Sequence, residues 1–484
     1  MEHSMTAEWE NILRTHWGID TCLTKLPGEY DLNFLAETSD GDGFVLKVMR
    51  PDCDSSLVAL QIAALGHIAE RTPNLPFPQV IPTLSGDQMM THSDLYGELR
   101  LLWVLQRLPG RTFSEALPKT TMLIHNLGQV IGGSDLALAD FTHPGLTRDF
   151  KWDLMQAQWI TPEIAGVTTA PRRAALASVV AAFEAIYPDL QRLPIQAIHN
   201  DFNDYNILVN GTLSQPHHIS GLIDLGDICA APRICNLAIA AAYLVLDATD
   251  PDKRLTALVA GYHSANPLAT AEIDLIWPLL QMRLAVSVVN SALMAQDNPN
   301  DPYVVISQAP AWRFLEKTSI DPGLLRARLR TACGLPVTDA APRILAFLDR
   351  ERGNFAPVMG TNLSDAPMGS LSVENSIWPQ NPFHLGRDEA ARIGAEYQQD
   401  GQIWLGYYFE PRLIYTEPAF RNGPWLASDR RTVHLAVDGF APENTPIYAP
   451  MDATVHVIEN RTGHLDYGGV VILAHDTSEG DSFY

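Results

Sequence analysis

The sequence predicts an α+β protein in which a small β-rich lobe, a larger helical lobe and a separate all-β unit follow one another. Three observations support this. Apolar strand patterns joined by turn residues fill residues 1–106, helical patterns dominate residues 107–334, and β-type patterns return at residues 395–484. A chain of 484 residues is also too long for one ordinary core, which favours two or three domains.

The small lobe begins with a predicted hairpin. The stretches DLNFLAET and GFVLKVMR alternate or run apolar, and the turn-forming SDGDG at 39–43 joins them. Apolar residues then recur at helical spacing, at positions 57, 60, 64 and 68. A further strand region ends in ELRLLWVLQRL at 98–108, and LPGRTF at 108–113 is predicted to be the hinge between the lobes.

The large lobe is predicted to be mainly helical, with one strand-and-loop segment at 195–226. The helical patterns cover residues 121–140, 152–159, 171–187, 233–247, 251–264, 271–297 and 322–332. Residues 335–394 are predicted to be a linker, because they are rich in Pro, Asn, Gly and Ser and carry one short helical piece near 342–352.

Composition and charge indicate which classes of partner and which cellular location fit this chain. A formal net charge of -23 argues against a nucleic-acid partner, whose phosphates require a basic face, and suits a cationic substrate. The N-terminus has no basic or apolar signal region, and the apolar run LAIAAAYLVL at 237–246 is too short to span a bilayer. The five scattered cysteines lack C-x-x-C spacing. We expect a cytoplasmic protein with reduced thiols and no membrane partner.

Phosphoryl-transfer chemistry is indicated by HNDFNDYNILVN at 199–210 and SGLIDLGD at 220–227. The carboxylate of Asp201 can orient and deprotonate a hydroxyl. The amide oxygen of Asn206 and the carboxylate of Asp224 can hold Mg²⁺ on nucleotide phosphates. The D-x-x-x-x-N spacing is that of the kinase catalytic loop, and IDLGD stands where kinases have D-F-G. The pattern therefore predicts a bilobal protein-kinase-like domain.

Lys47 lies in the apolar strand FVLKVM, where a charged side chain is costly unless it has a partner. With the catalytic loop downstream, we expect it to bind the phosphates of ATP or GTP. The alternative is an edge-strand lysine whose amine reaches water. Gly28 and Asn33, in GEYDLN, stand where the phosphate-covering turn should be. That segment has one glycine rather than three, so a simple strand-to-strand turn is the alternative.

Two further residues flank this motif. His199 is expected to support the catalytic loop as a packed, hydrogen-bonded residue and not to take part in the chemistry. Asp227, three residues beyond Asp224, is a candidate ligand for a second metal ion, or a partner of the loop backbone. The apolar run SGLID before these carboxylates predicts a strand end that opens into a cleft.

Residues 15–330 resemble the aminoglycoside phosphotransferase and choline kinase superfamily. The motif N-D-Y-N at 203–206 and the segment LAIAAAYLVL at 237–246 are most similar to hydroxylysine-kinase-like enzymes. The resemblance implies a magnesium-dependent transfer of phosphate from ATP or GTP to a hydroxyl of a small amine-bearing molecule. It also implies that Lys47 binds phosphate, that Asp201 is the catalytic base, and that Asn206 and Asp224 are metal ligands.

Two positions depart from the pattern of this superfamily. Its members commonly have glycine where Asn200 stands. The helix position expected to hold a glutamate partner for Lys47 is Gln61, with Glu70 as a remote alternative. The ion pair of Lys47 and the backbone conformation at Asn200 are therefore open questions.

The C-terminal segments HLAVD, at 434–438, and DYGGVVILAHD resemble the lysostaphin-type zinc endopeptidases. The resemblance implies that His434 and Asp438 are zinc ligands. The family's later H-x-H pair does not occur in the 484 residues, and zinc catalysis usually needs three protein ligands. We expect an incomplete domain without peptidase activity. Zinc binding and a role as a spacer or docking surface remain alternatives.

The order of the two domains resembles larger fusions that end in a class III aminotransferase-like, pyridoxal-phosphate-dependent domain. We therefore expect a fused or associated enzyme of that kind. The β pattern stops at SFY. Either the chain is a fragment of a longer protein or this unit has lost its closing strands.

The leading hypothesis is a small-molecule kinase for a hydroxylated amino acid or amino alcohol. Its rivals are a zinc metallopeptidase, a non-catalytic scaffold and, among kinases, an aminoglycoside-type antibiotic phosphotransferase. The sequence does not distinguish between acceptors, or between ATP and GTP.

Overall fold

The computed structural model describes residues 2–28, 31–38, 43–212, 215–297, 308–318, 320–374, 402–416, 420 and 431–484. The chain divides into two compact units, Met1–Val337 and Thr338–Tyr484.

The first unit begins with an antiparallel six-stranded sheet. Its strands are Leu23–Leu26 (β1), Leu32–Glu37 (β2), Gly43–Val48 (β3), Val80–Ile81 (β4), Met90–Ser93 (β5) and Leu99–Gln106 (β6). They follow the order β1-β2-β3-β6-β4, and β5 pairs with β6. This confirms the β-rich small lobe.

The two faces of this sheet pack against different elements. One face is covered by an N-terminal helix that the sequence did not predict, Glu2–Ile12 (α1), which continues as a π-helix to Trp17. Leu46 and Val48 pack in the cluster that contains Trp9. Since successive side chains of a strand point to opposite faces, Lys47 lies on the other face. That face packs with the predicted helix Ser55–Arg71 (α2) in the larger core.

A mainly helical part follows in the chain, as predicted. Its helices are Thr121–Ala137 (α3), Ile160–Glu163 (α4), Ala170–Leu190 (α5), Arg233–Leu244 (α6), Pro251–Ala265 (α7), Thr270–Asp297 (α8), Gln308–Lys317 (α9) and Pro322–Ala332 (α10). The predicted helix at 152–159 is instead a 3₁₀ helix over Leu154–Trp159, and α9 was not predicted.

The expected strand-and-loop segment at 195–226 carries the strands Ile195–Ile198 (β8), Ile207–Thr212 (β9) and Gln215–Leu222 (β10). Two further short strands of this lobe lie outside that segment, Arg111–Thr112 (β7) and Cys229–Pro232 (β11). Strand β9 lies between β10 and β7, and β11 pairs with β8. All these pairs are antiparallel.

Helices α3 and α7 approach each other until their backbones touch. A Cβ atom on Gly128 would lie 2.1 Å from the carbonyl oxygen of Leu258, and one on Gly261 would lie 2.0 Å from that of His125. Real Cβ contacts do not occur at such distances, so glycine at both positions permits the close approach. The approach brings polar side chains of both helices together beneath the catalytic loop.

Helix α8 is long and apolar. Among the described residues, its stretch Thr270–Ala295 alone meets the length and composition needed to cross a membrane, and 72% of its most apolar window is buried inside the unit. Burial of this extent is typical of a core helix.

The second unit consists mainly of short strands. They are Met368–Gly369 (β12), Trp404–Gly406 (β13), Glu410–Pro411 (β14), Val433–His434 (β15), Gly439–Phe440 (β16), Thr454–Arg461 (β17), Gly468–Asp476 (β18) and Ser482–Phe483 (β19). They form the sheets β12-β13-β16, β14-β15 and β17-β18-β19.

This unit is not all-β. Helix Ala341–Glu351 (α11) belongs to it: Phe347 lies 6.3 Å from Phe483 between ring centroids, and Arg343 bonds to Asp481 at 2.7 Å. Part of the segment predicted to be a linker is therefore packed in the second unit. Residues 375–394 of that segment, and residues 395–401 of the predicted β unit, lie outside the described residues.

Candidate active site

Asp201 lies in the loop between β8 and β9, and three donors hold its carboxylate. Its Oδ2 accepts hydrogen bonds from the side-chain amides of Asn203, at 3.0 Å, and Asn206, at 2.7 Å. Its Oδ1 accepts from Nη2 of Arg283 at 3.2 Å. The side chain is 20% exposed, so it is fixed in orientation and still accessible.

Asn206 and Asp224 lie side by side because β9 and β10 are paired. Leu222 is opposite Ile207, and the N–H of Ile223 donates to the carbonyl of Asn206 at 3.0 Å. The side-chain amide nitrogen of Asn206 donates to Asp201, so its oxygen is the atom left for a cation. Carboxylate and amide oxygens are ligands that Mg²⁺ accepts.

Lys47 reaches this site from the small lobe. Its Nζ lies 3.2 Å from Oδ1 of Asp224 and 5.7 Å from the ring centroid of Trp103, which is opposite it in the sheet. The lysine charge holds the pKa of Asp224 below its usual range. Asp224 has a side chain that is 49% exposed and a left-handed φ of 65°. The carboxylate is therefore ionised and open to solvent.

The structure does not use Gln61 as a partner for Lys47. Gln61 is buried on α2 and donates to the carbonyl of Leu57, one turn earlier in the same helix, at 3.3 Å. Glu70 is exposed near the end of α2. The partner of Lys47 in this structure is the carboxylate of Asp224, which answers the question raised by the sequence.

Gly28 and Asn33 lie beside the same strand. Asn33 is directly opposite Lys47 in the register of β2 and β3. A Cβ atom on Gly28 would lie 2.6 Å from Nδ2 of Asn33, so the end of β1 closes tightly on β2. The structure therefore brings Gly28, Asn33 and Lys47 together, while residues 29 and 30 of the turn lie outside the described residues.

His199 supports the loop from beneath, as expected. Its Nδ1 accepts from the N–H of Asp201 at 3.3 Å, so Nε2 carries the proton and donates to the carbonyl of Ile223 at 3.1 Å. The ring stacks on Phe202 at 4.2 Å. Burial lowers the pKa of His199 to about 4, which keeps the imidazole neutral. It links the Asp201 loop to the Asp224 strand.

Asn200 adopts a left-handed backbone conformation, with a φ of 67°. Glycine adopts this conformation without strain, and asparagine tolerates it better than most other residues. The Asn200 N–H donates to Oδ1 of Asn236 at 2.9 Å, and its side chain donates to the carbonyl of Trp152 at 3.4 Å. Asparagine in place of glycine is therefore compatible with the loop.

Beneath Asn200 is a buried polar network that joins helices α3, α6 and α7. The side-chain amide of Asn236 donates to Oδ1 of Asp135 at 2.6 Å, and the hydroxyl of Tyr262 donates to Oδ2 at 2.7 Å. Burial raises the pKa of Asp135 to about 7. The network fixes the backbone of the catalytic loop to the helical core.

Asp227 lies close to the carboxylate of Asp201. Burial, and to a lesser extent the negative charge of Asp201, raise the pKa of Asp227 to about 7, whereas the charges of Arg283 and Arg148 act in the opposite direction. Arg148 also donates to the carbonyl of Gly226 at 2.6 Å. The role of Asp227 as a ligand of a second metal ion stays a prediction.

Arg283 is the site residue that the motif search missed. It lies on α8, 82 residues beyond Asp201, and its side chain is 2% exposed. A signal was present: a single arginine interrupts the apolar run QMRLAVSVV, and a buried charge needs a partner. Lys47, a charged residue in an apolar strand, carries the same kind of signal.

In the second unit, the structure brings His434 and Asp438 together, with 3.2 Å between Nε2 and Oδ1. Asp438 also pairs with Arg412, and Nδ1 of His434 lies 2.7 Å from the hydroxyl of Tyr415. The described ranges contain no group of three His, Cys, Asp or Glu side chains that could hold a metal. In this structure the guanidinium of Arg412 neutralises Asp438. A zinc-binding role for His434 and Asp438 stays a prediction.

The first unit thus combines a fixed carboxylate, two oxygen donors and a lysine in one place. Residues 23–273, more than half of the chain, match the sequence model of the phosphotransferase enzyme family, APH. The chain belongs to this family. As a family member it is an enzyme that transfers phosphate to a hydroxyl group, which confirms the predicted superfamily and enzyme class.

Curated relatives of this phosphotransferase include hydroxylysine kinases from several animals, of which two are described. The protein of Danio rerio is 27% identical over 330 residues, which cover 66% of this chain and 91% of the relative. The protein of Mus musculus is 27% identical over 312 residues, which cover 60% of this chain and 83% of the relative. Among solved structures, a microcompartment-associated aminopropanol kinase is 18% identical, covers 70% of this chain and 98% of its own, and gives a TM-score of 0.47.

Proposed function

We propose that this phosphotransferase moves the γ-phosphate of ATP or GTP, with Mg²⁺, to a hydroxyl of a small amine-bearing molecule. A hydroxylated amino acid or amino alcohol is the acceptor class. The observation that carries the proposal is the contact of Lys47 with Asp224, because it joins the phosphate-binding lysine to the metal-binding carboxylate beside Asp201.

On the acceptor side, Asp201 is the catalytic residue. Its carboxylate accepts the proton of the acceptor hydroxyl as the oxygen attacks the γ-phosphorus, while the bond between that phosphorus and the β,γ-bridging oxygen breaks and ADP or GDP leaves. Asn203 and Asn206 hold Oδ2 from within the loop, so the carboxylate is oriented before the substrate binds. Such preorganisation and positioning supply most of the acceleration in phosphoryl transfer.

On the donor side, Lys47 binds the phosphates, and Gly28 and Asn33 lie where the turn covers them. Asn206 and Asp224 would hold the metal ion, with Asp227 as a further candidate. When bound, Mg²⁺ neutralises charge on the transferred phosphoryl group. The exposed, ionised carboxylate of Asp224 suits that role.

The amine on the acceptor is supported by two independent observations. The curated relatives are named hydroxylysine kinases, and hydroxylysine carries amines near its hydroxyl. The chain also has a net charge of -23, and the carboxyl of Asp227 lies close to the catalytic residue. Acidic surroundings attract a cationic acceptor.

The test is a phosphate-transfer screen of hydroxylysine, amino alcohols and aminoglycosides, with ATP and with GTP. Transfer to hydroxylysine or an amino alcohol is the expected result, and a strong preference for aminoglycosides would favour the antibiotic-resistance alternative. Asp201→Asn should abolish turnover and leave nucleotide binding nearly intact. Asp189→Asn, at a 64% exposed carboxylate, is the control. Full turnover in Asp201→Asn would contradict the proposed mechanism.

We also propose that the phosphorylated product is consumed by a pyridoxal-phosphate-dependent, aminotransferase-like enzyme, fused or associated. The support is the resemblance of the domain order to such fusions. Phosphate elimination is the reaction class that suits a phosphorylated amino alcohol. The measurement is phosphate release from the purified product by such an enzyme, with and without pyridoxal phosphate. Release that does not depend on the cofactor would count against it.

A further inference from the structure

We propose that Arg283 is a positioning residue for catalysis: its guanidinium holds the carboxylate of Asp201 in the orientation that accepts the hydroxyl proton. The inference rests on the proposed function, in which Asp201 is the base. Nothing in the catalytic-loop motif points to Arg283, which comes from the middle of α8.

Arg283 is itself held from several directions. Nη2 donates to Oδ1 of Asp201 at 3.2 Å and lies 3.5 Å from the hydroxyl of Tyr243. Nη1 donates to the carbonyl of Trp152 at 3.1 Å, and Cζ lies 4.5 Å from the centroid of the Trp152 ring. The planar guanidinium is thus stacked and hydrogen-bonded, and a lysine ammonium could not reproduce this set of contacts.

The two oxygens of Asp201 are held by different parts of the fold. Oδ2 accepts from Asn203 and Asn206, which move with the catalytic loop. Oδ1 accepts from Arg283, which is anchored in the helical core. Loop contacts alone fix the carboxylate relative to the loop. Arg283 fixes it relative to the rest of the large lobe, and this is what orientation toward a bound acceptor requires.

Stability does not account for a buried arginine at this position. A buried ion pair gains little over a well-packed apolar pair, because both charges lose their hydration. Arg283 is 1% exposed within an apolar helix. Two carboxylates, Asp201 and Asp227, lie near its charge. The positive charge of Arg283 offsets the negative charges of Asp201 and Asp227. We attribute the presence of an arginine here to the need to hold the carboxylate of Asp201 in place.

A matched pair of substitutions separates positioning from folding. Arg330 lies on α10 and is 3% exposed. It bonds to Asp274 at 2.9 Å, so it is a buried arginine that pairs with a carboxylate of α8, the helix that carries Arg283. The variants are Arg283→Met, Arg283→Lys and Arg330→Met in the full chain. Each is measured for transfer to hydroxylysine, for ATP binding, and for hydrogen exchange of the amides of residues 199–206.

Arg283→Met should lower kcat on the order of 100-fold, the size expected when a reacting group is misplaced by about 1 Å. ATP affinity should change less than about threefold, because no nucleotide-binding residue is touched. Arg283→Lys should recover part of kcat, and exchange at residues 199–206 should rise in Arg283→Met alone. Arg330→Met should lower thermal stability and leave kcat unchanged.

The outcomes distinguish this inference from the proposed function. Unchanged kcat and unchanged loop exchange in Arg283→Met would overturn the role of Arg283, even if Asp201→Asn is inactive. An equal loss of kcat in Arg330→Met would assign the effect to general destabilisation. If the wild type transfers no phosphate to any acceptor in the screen, the proposed function fails, and the exchange of residues 199–206 still decides whether Arg283 orders the loop.

Discussion

The backbone N–H of Asn200 donates a 2.9 Å hydrogen bond to the side-chain oxygen of Asn236, which ties the catalytic loop to helix α6. Asn236 in turn donates to the buried Asp135. The position of Asp201 therefore depends on polar contacts that reach into the centre of the helical lobe.

The conformation of Asn200 predicts an order of tolerated substitutions. Asn200→Gly should fold as well as the wild type, because glycine adopts a positive φ freely and the buried side-chain oxygen of Asn200 has no hydrogen-bond partner within the described ranges. The change gives up only the long 3.4 Å bond from the Asn200 side chain to the carbonyl of Trp152. Asn200→Ala should lose about 1–2 kcal/mol, the cost of a left-handed residue with a Cβ atom. Urea denaturation checks the order. Equal stability of the glycine and alanine variants would contradict it.

The buried Asp135 predicts a dependence of stability on pH. Its pKa is raised from 3.8 to about 7 in the folded protein, so between these values the folded state binds more protons than the unfolded state. The contribution of this group to the free energy of unfolding therefore falls as the pH rises from about 4 to about 7, by at most roughly 1.4 kcal/mol per pH unit.

The measurement is urea denaturation of the wild type and Asp135→Asn at pH 5 and at pH 8. Asparagine does not titrate, so the wild type should gain stability relative to the variant at the lower pH. Asp189→Asn, at an exposed carboxylate, should show no such change. A difference between wild type and Asp135→Asn that is the same at both pH values would contradict the titration of this buried carboxyl.

Lys47→Met is expected to weaken nucleotide binding roughly 10- to 100-fold, because a hydrogen bond to a charged group contributes about 1.5–3 kcal/mol. Calorimetric titration with ATP and Mg²⁺ is the check. Lys25→Met, which removes an exposed lysine from β1 of the same sheet, should bind normally. If the two variants bind ATP equally well, Lys47 does not contact phosphate.

Metal removal should affect the two units differently. Dialysis against EDTA should abolish phosphate transfer, and Mg²⁺ should restore it, since Asn206 and Asp224 offer oxygen ligands. The second unit should hold no stoichiometric zinc, because Asp438 is paired with Arg412. Elemental analysis of the full chain tests this. One zinc ion per chain that disappears in His434→Ala would revive the peptidase alternative.

The sequence predicted the parts of the site that lie close together in the chain. Asp201 and Asn206 share one loop, and Asp224 follows an adjacent strand. Their spacing in the sequence was therefore enough to predict that the three side chains lie close together. Lys47 could be added because a charge within an apolar strand requires a partner. The sequence left its partner open, because Gln61 stands where a glutamate was expected on α2, and the structure makes the ion pair with Asp224 instead.

Contacts between distant segments could not be predicted in this way. Arg283 meets Asp201 only because α8 packs beneath the loop, and no local pattern specifies that arrangement. The pairing of Arg412 with Asp438 is similar: the resemblance to zinc endopeptidases implied that His434 and Asp438 would lie together, but not that an arginine would neutralise the carboxylate. Helix α11 was predicted, whereas its packing in the second unit was not.

The contact of Lys47 with Asp224 has a consequence for how a ligand would enter. Without nucleotide, each residue serves as the counter-ion of the other, so neither charge stands uncompensated at the cleft. A nucleotide with its metal ion would offer a phosphate to the lysine and a cation to the carboxylate at the same time. When the nucleotide enters, Lys47 would exchange Asp224 for a phosphate, and Asp224 would exchange Lys47 for the metal ion. Both residues would therefore have a counter-ion before and after binding.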